Sequence, residues 1–91
     1  LNEEQRKKAS YIYKSLKKIK KLFGKLDCST IKEVIMDDIK KVKGMDLDYI
    51  EIIDAHSFKP INNKNNKENA VALIAVFLGN VRLIDNLSLN D

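Results

Sequence analysis

Apolar residues return along the first quarter of the chain at steps of three and four: Ala9, Ile12, Leu16, Ile19 and Phe23. That spacing lays them along one face of a helix, predicted from about Glu3 to Phe23. Asn2 and Gln5 have the spacing of a capping box, and Glu3 and Glu4 stand where the helix dipole favours anions. Gly24 is placed to end the helix in a left-handed conformation. A second periodic stretch, Thr30 to Lys43, carries Ile31, Ile35, Ile39 and Val42 in its stripe. Ser29 or Asp27 is its N-cap and Gly44 its stop. Two such helices cannot hide both stripes against each other, so a further apolar surface is required.

The period then changes. Leu47 to Asp54 (LDYIEIID) is β-branched and aromatic and reads as a strand. His56 to Asn69 connects it onward, with Pro60 and the Asn/Lys-rich run 62–69 favouring an exposed turn. Ala70 to Leu78 (AVALIAVFL) is apolar throughout, the mark of a strand buried on both faces or nearly so. Gly79-Asn80 makes a two-residue hairpin turn, and Val81 to Leu89 returns. The expected fold is α+β: two N-terminal helices packed on one face of a small three-stranded antiparallel sheet, in the order α-α-β-β-β.

The turn length sets the register. Leu78 pairs with Val81, Val76 with Leu83, Ile74 with Asp85 and Ala72 with Leu87, and these residues share a face. It is the more apolar face, so the helix stripes should pack there. Asp85 then falls on the helix side, where a bare carboxylate is costly; it is expected at the sheet's edge, hydrogen-bonded to backbone N–H groups or a basic side chain. The second face keeps Val71, Leu73, Phe77 and Ile84, a patch that marks a docking surface for another domain or a second copy of the chain.

Charge alters this picture little. The net charge of +4 is uneven: residues 1–44 hold 13 Lys or Arg against 6 acids, residues 45–91 hold 4 against 7. Lys7, Lys14, Lys17, Lys18, Lys21 and Lys25 line the first helix opposite its apolar stripe, a possible electrostatic footprint for RNA or another acidic partner. Arg6 and Arg82 are the only arginines, and Tyr11 alone is no stacking platform. The composition therefore weighs against nucleic acid and for a solvated helix face. The longest apolar run is about half a membrane span. A single cysteine excludes an internal disulfide and fits a reducing, cytoplasmic setting. The chain opens on Leu1 rather than methionine, as a fragment or a processed product would.

No residue set completes a catalytic site. His56 is the only histidine and lies in a polar turn beside Ser57, where a general base would need an orienting partner. Cys28, just before the second helix, is either a thiol acidified by the helix N-terminus or a small apolar filler. Glu51 and Asp54 point to opposite faces of their strand, and Asp37 and Asp38 diverge by about 100° on a helix. Gly24, Gly44 and Gly79 are too far apart for a phosphate loop. No catalytic, cofactor-binding or metal-binding residue is assigned.

Three segments carry a resemblance. Leu78-Gly79, followed by Arg82-Leu83-Ile84-Asp85-Asn86, resembles the C-terminal signature of the pantoate–beta-alanine ligase family. Asp48-Tyr49-Ile50-Glu51-Ile52-Ile53-Asp54 is similar to that family's D-Y-(V/A)-E-(I/V)-x-D strand, and Phe58-Lys59-Pro60-Ile61 to the segment after it. Leu1 to Ala9 resembles the opening of the family's C-terminal domain. Phe77 departs from the family, which often has a basic residue there.

The resemblance implies that residues 1–91 are a single C-terminal lid domain of a larger two-domain enzyme. That enzyme would be a ligase using ATP and Mg2+, activating pantoate as pantoyl adenylate for attack by beta-alanine. It also implies an N-terminal nucleotide-binding domain as partner, with a His-x-Gly-His type motif and a Ser-Arg-Asn segment that this chain lacks. Tyr49, Glu51, Asp54, Gly79, Arg82, Leu83, Ile84, Asp85 and Asn86 are then structural or lid residues, and the chain alone should be inactive. A lid would exclude water from a hydrolysable adenylate. A free-standing basic module binding RNA is the second reading.

Overall fold

The computed structural model describes residues 3–61 and 68–90. Helix α1 spans Glu3–Leu22 and helix α2 spans Cys28–Lys40; strands β1 (Met45–Asp54), β2 (Ala70–Leu78) and β3 (Val81–Ser88) follow. The order α-α-β-β-β is the expected one, and the three strands form one antiparallel sheet in the order β1-β2-β3.

Local chemistry accounts for the helix ends. Of the two N-cap candidates for α2 the structure selects Asp27, whose Oδ1 accepts from the Thr30 N–H at 2.7 Å. The capping box that Asn2 would open lies outside the described residues. Gly24 adopts φ +88°, the left-handed geometry a helix-ending glycine supplies. Helix α2 stops at Lys40, three residues short of the expected Lys43. There the Lys41 and Val42 N–H groups step back to the carbonyls of Asp38 and Ile39, tightening the last turn.

The stripes bury as the spacing predicts: Ile12, Leu16, Ile19 and Phe23 from α1, and Ile31, Ile35 and Ile39 from α2, with Val42 partly covered. They close on one sheet face made by Met45, Ile50, Ile52, Ala72, Ile74, Val76 and Leu78. Helix α2 lies over β1, while α1 lies over β2 and β3. The sheet is thus the further surface that both stripes needed. Lys18 of α1 bridges to Asp38 of α2 at 2.7 Å, drawing part of the lysine face into the fold.

The β2–β3 register agrees pair for pair with the expected one: Leu78 with Val81, Val76 with Leu83, Ile74 with Asp85, Ala72 with Leu87. Gly79 takes φ +62° in the turn, as a two-residue hairpin demands.

One expectation for the sheet needs correction. β1 begins at Met45, two residues earlier than expected, and its pairing slips by one residue between Leu47 and Tyr49. The extra residue, Asp48, is a β-bulge, which lets Leu47 and Ile50 both face the core although they are three apart. β2 is buried on both faces or nearly so, as its unbroken apolar run predicts. Its core-side residues are shut off from solvent, but Val71, Leu73 and Phe77 are only half-buried, because no element among the described residues forms a layer over that side.

Candidate functional site

The sheet face turned away from the helices carries most of the side chains that the two signature strands single out. Strand alternation sends Tyr49 and Glu51 of β1, and Arg82, Ile84 and Asn86 of β3, to this face. Asp54, Leu83 and Asp85 go to the helix side, and Gly79 stays in the turn. Glu51 and Asp54 are on opposite faces, as their spacing required.

At the centre of the open face stands Ala75, paired with Tyr49 on one side and Ile84 on the other. Ala75 is fully covered yet lies outside the helix–sheet core, so its cover comes from larger neighbours on its own face. Arg82 is beside it. The Arg82 Nε and Nη2 reach Asp48 Oδ2 at 2.9 and 2.8 Å, and the guanidinium lies 5.7 Å from the centre of the Tyr49 ring. Arg82 sits on β3 and Asp48 on β1, so this contact crosses β2, and the small Ala75 side chain leaves room for it. The bulge that brings both Leu47 and Ile50 inward also presents Asp48 to Arg82. Sequence reasoning does not single out Asp48 as a site residue; the carboxylate beside Tyr49 in the signature strand is the signal that points to it.

The other signature residues have structural duties. Asp54 Oδ1 accepts from the His56 and Ser57 N–H groups at 2.7 and 3.1 Å and shapes the turn after β1. Beyond that turn, Phe58 takes φ +60° and projects into solvent. Glu51 receives Lys32 of α2 at 3.0 Å. Asp85 is on the edge strand opposite Ile74, half-buried, and its Oδ1 accepts from the Asn86 N–H at 2.8 Å, as a carboxylate on the helix side required. Leu83 packs against the core, and Ile84 remains 56% exposed.

The arrangement offers a shaped surface rather than reactive groups. His56 is exposed, and its backbone, not its ring, makes the hydrogen bond to Asp54. Cys28 opens α2 but is 1% exposed. Burial pushes its thiol pKa up, the nearby Lys32 pulls it down, and Asp27 and Glu51 push it up again, leaving it raised. Of its two readings, the apolar filler stands. A groove of about 690 Å³ runs between α2 and β1, lined in part by Met36, Ile39, Leu47 and Ile50. Its Lys32 is engaged by Glu51, and it contains neither histidine nor cysteine.

Among the described residues no group of three or more His, Cys, Asp or Glu could hold a metal ion. The described residues do not fit ATP and Mg2+: the three glycines stand in separate turns, and the carboxylates nearest the open face are held by Lys32 and Arg82. No helix among them is long and apolar enough to cross a membrane.

The described residues form a two-layer α+β unit with a closed core and one patterned sheet face that no layer covers. The chain belongs to the pantoate–beta-alanine ligase family, whose model matches residues 1–88. It is similar to the pantothenate synthetase of Fervidobacterium nodosum, at 40% identity over 99% of this chain and 32% of that protein. It is similar also to the pantothenate synthetase of Thermosipho africanus, at 39% identity over 96% of this chain and 31% of the relative. The chain therefore spans about a third of the length of these relatives. In fold it matches the crystal structure of pantothenate synthetase from Thermus thermophilus, with a TM-score of 0.82 over the whole chain and 33% of that structure, at 24% identity.

Proposed function

We propose that this chain is the C-terminal lid domain of an ATP- and Mg2+-dependent ligase that joins pantoate to beta-alanine through pantoyl adenylate, in the cytoplasm. The observation that carries this reading is the family match along residues 1–88, with close to a third of each relative covered. ATP, Mg2+ and the reacting groups are assigned to a nucleotide-binding domain elsewhere in the same polypeptide. This domain's contribution is to close over the site, exclude water from the adenylate and hold the reactants in place. It needs no titratable group of its own for that work.

The complete polypeptide, given ATP, Mg2+, pantoate and beta-alanine, should release AMP and pantothenate, while residues 1–91 alone should release none. ATP should also leave the melting temperature of residues 1–91 unmoved, since only a ligand that binds the folded state raises it. AMP release by the isolated chain, or none from the complete polypeptide, would overturn the reading.

A further inference from the structure

We propose that Phe58 is a positioning residue of the ligase reaction: an apolar side chain held out on a preset turn, which seals the reaction site against water when the lid comes down. The proposal rests on the ligase reading for the reaction and for the rest of the polypeptide, and on the geometry of the turn for the residue.

Two costs fall on this one residue. Phe58 takes φ +60°, a left-handed conformation that bulky side chains seldom adopt. It is also 75% exposed, against 56% for Ile84 and 51% for Tyr13, and no large apolar side chain among the described residues is more exposed. Single apolar residues on a surface need no explanation. A strained backbone whose result is an aromatic ring in water does, because glycine or asparagine would adopt the same turn with less strain and no exposed ring. Asn69, the other left-handed residue besides glycine among the described residues, is of the tolerant kind.

The surrounding chain imposes the strain. The Asp54 carbonyl accepts from the Phe58 N–H at 2.7 Å, and the Asp54 N–H donates to the Lys59 carbonyl at 2.9 Å. The Asp54 carboxylate takes up the His56 and Ser57 N–H groups, and Ser57 Oγ accepts from the Lys59 N–H at 3.3 Å. Beyond Pro60, the Ile61 N–H returns to the Ile52 carbonyl at 2.8 Å, with the Ile61 side chain buried. The segment is thus tied to β1 on both sides of Phe58 while the ring stays in solvent. Strain that is over-determined in this way collects at functional contacts, and a side chain already held in place loses little freedom on meeting its target.

Position gives the residue its role. On the ligase reading the rest of the polypeptide joins ahead of α1. The first turns of α1 lie beside the loop that enters β1, where Lys8 Nζ comes 2.9 Å from the place a Cβ on Gly44 would take. From there β1 runs ten residues to the Phe58 turn, roughly 30 Å along a domain whose longest dimension is 39 Å. A lid that pivots near the start of α1 moves its far end most, so a contact there forms only on closure.

The reaction supplies something for that contact to protect. When the amine of beta-alanine attacks the acyl carbon of pantoyl adenylate, the bond from that carbon to the phosphate oxygen breaks, and one AMP leaves for each pantothenate formed. Water attacking the same carbon breaks the same bond, gives back pantoate and a proton, and also releases AMP. A sealed site therefore yields the two products in equal amounts, and a leaking one yields AMP in excess.

AMP and pantothenate measured together in one reaction of the complete polypeptide test this. The native chain, Phe58→Leu and the control Tyr13→Ala should release them equally. Phe58→Gly and Phe58→Asn should release AMP in excess by about two-fold or more, since the lid no longer shuts water out. Their melting temperatures should equal or exceed that of the native chain, because both residues suit the turn. Equal products from Phe58→Gly and Phe58→Asn, with the native chain active, would overturn the proposal and leave the ligase reading standing. Excess AMP from Phe58→Leu as well would overturn it by tracing the leak to something other than apolar bulk. A lower melting temperature in both relieved variants would also overturn it, by showing that the ring is packed within the domain. A native chain that releases neither product would bring down the ligase reading and this proposal with it.

Discussion

The Arg82–Asp48 pair ties β3 to β1 across the intervening strand, yet both side chains are about a third or more exposed. Solvent screening limits such a pair to about 0.2–1 kcal/mol. A double-mutant cycle on Arg82→Ala and Asp48→Ala should give a coupling energy near the middle of that range, read from urea midpoints. A coupling above about 2 kcal/mol would mean the pair is better shielded than its exposure indicates. Cys28 behaves oppositely, because it is enclosed. Its folded thiol resists ionisation and its unfolded thiol does not, so the folded state holds the proton more tightly. Stability from this source is intact below the unfolded thiol's pKa, roughly 8.5, and declines as pH rises from there through the higher folded value. Urea unfolding at rising pH should show that decline in the native chain and a shallower one in Cys28→Ala. Parallel declines would remove Cys28 as its source.

At the scale of elements, each edge of the sheet has its own guard. β1 is bent at Asp48 and bridged by Pro60, and β3 carries the inward Asp85. Replacing Asp85→Val should leave the fold in place, within about 1 kcal/mol of the original stability, because valine suits a half-buried strand position. It should also raise self-association, seen as a concentration-dependent rise in light scattering. Scattering that stays flat would show that Asp85 is not what keeps β3 solitary. The hairpin was legible in full, since a two-residue turn with glycine leaves one register for β2 and β3. The bulge in β1 was not, because an added residue leaves the run of β-branched side chains unchanged and is set by which neighbours on β2 it must meet.

Over the whole molecule, α1, α2 and one sheet face share a single core, so unfolding should be one cooperative transition. Leu16→Ala or Ile35→Ala should cost about 2–5 kcal/mol, since each side chain is fully enclosed and its removal leaves a cavity. The denaturant midpoint should fall with an unchanged slope; two separate transitions would show that the helices and the sheet do not form one unit. Part of the lysine surplus is engaged within the chain. Lys18 is paired with Asp38, and Lys14 and Lys17 lie 5.3 and 5.8 Å from the ring centres of Tyr11 and Tyr13. Single-stranded RNA titrated at low and moderate salt should show no saturable binding with a steep salt slope.

The amino-acid order by itself determined both helices, all three strands, the β2–β3 register and the face the helices cover. Each of these follows from short-range periodicity and turn length, which are properties of neighbours along the chain. It also carried the family resemblance, through Arg82-Leu83-Ile84-Asp85-Asn86 and the strand around Tyr49. Only the tertiary structure decided that Asp48 would face Arg82, 34 residues away, or that Glu51 would be held by Lys32. Only it left Val71, Leu73 and Phe77 half-buried, on the side of β2 where no layer of the described residues lies. Periodicity reports that a residue is apolar; whether a second layer arrives to cover it depends on how many elements exist, and two helices suffice for one face of three strands.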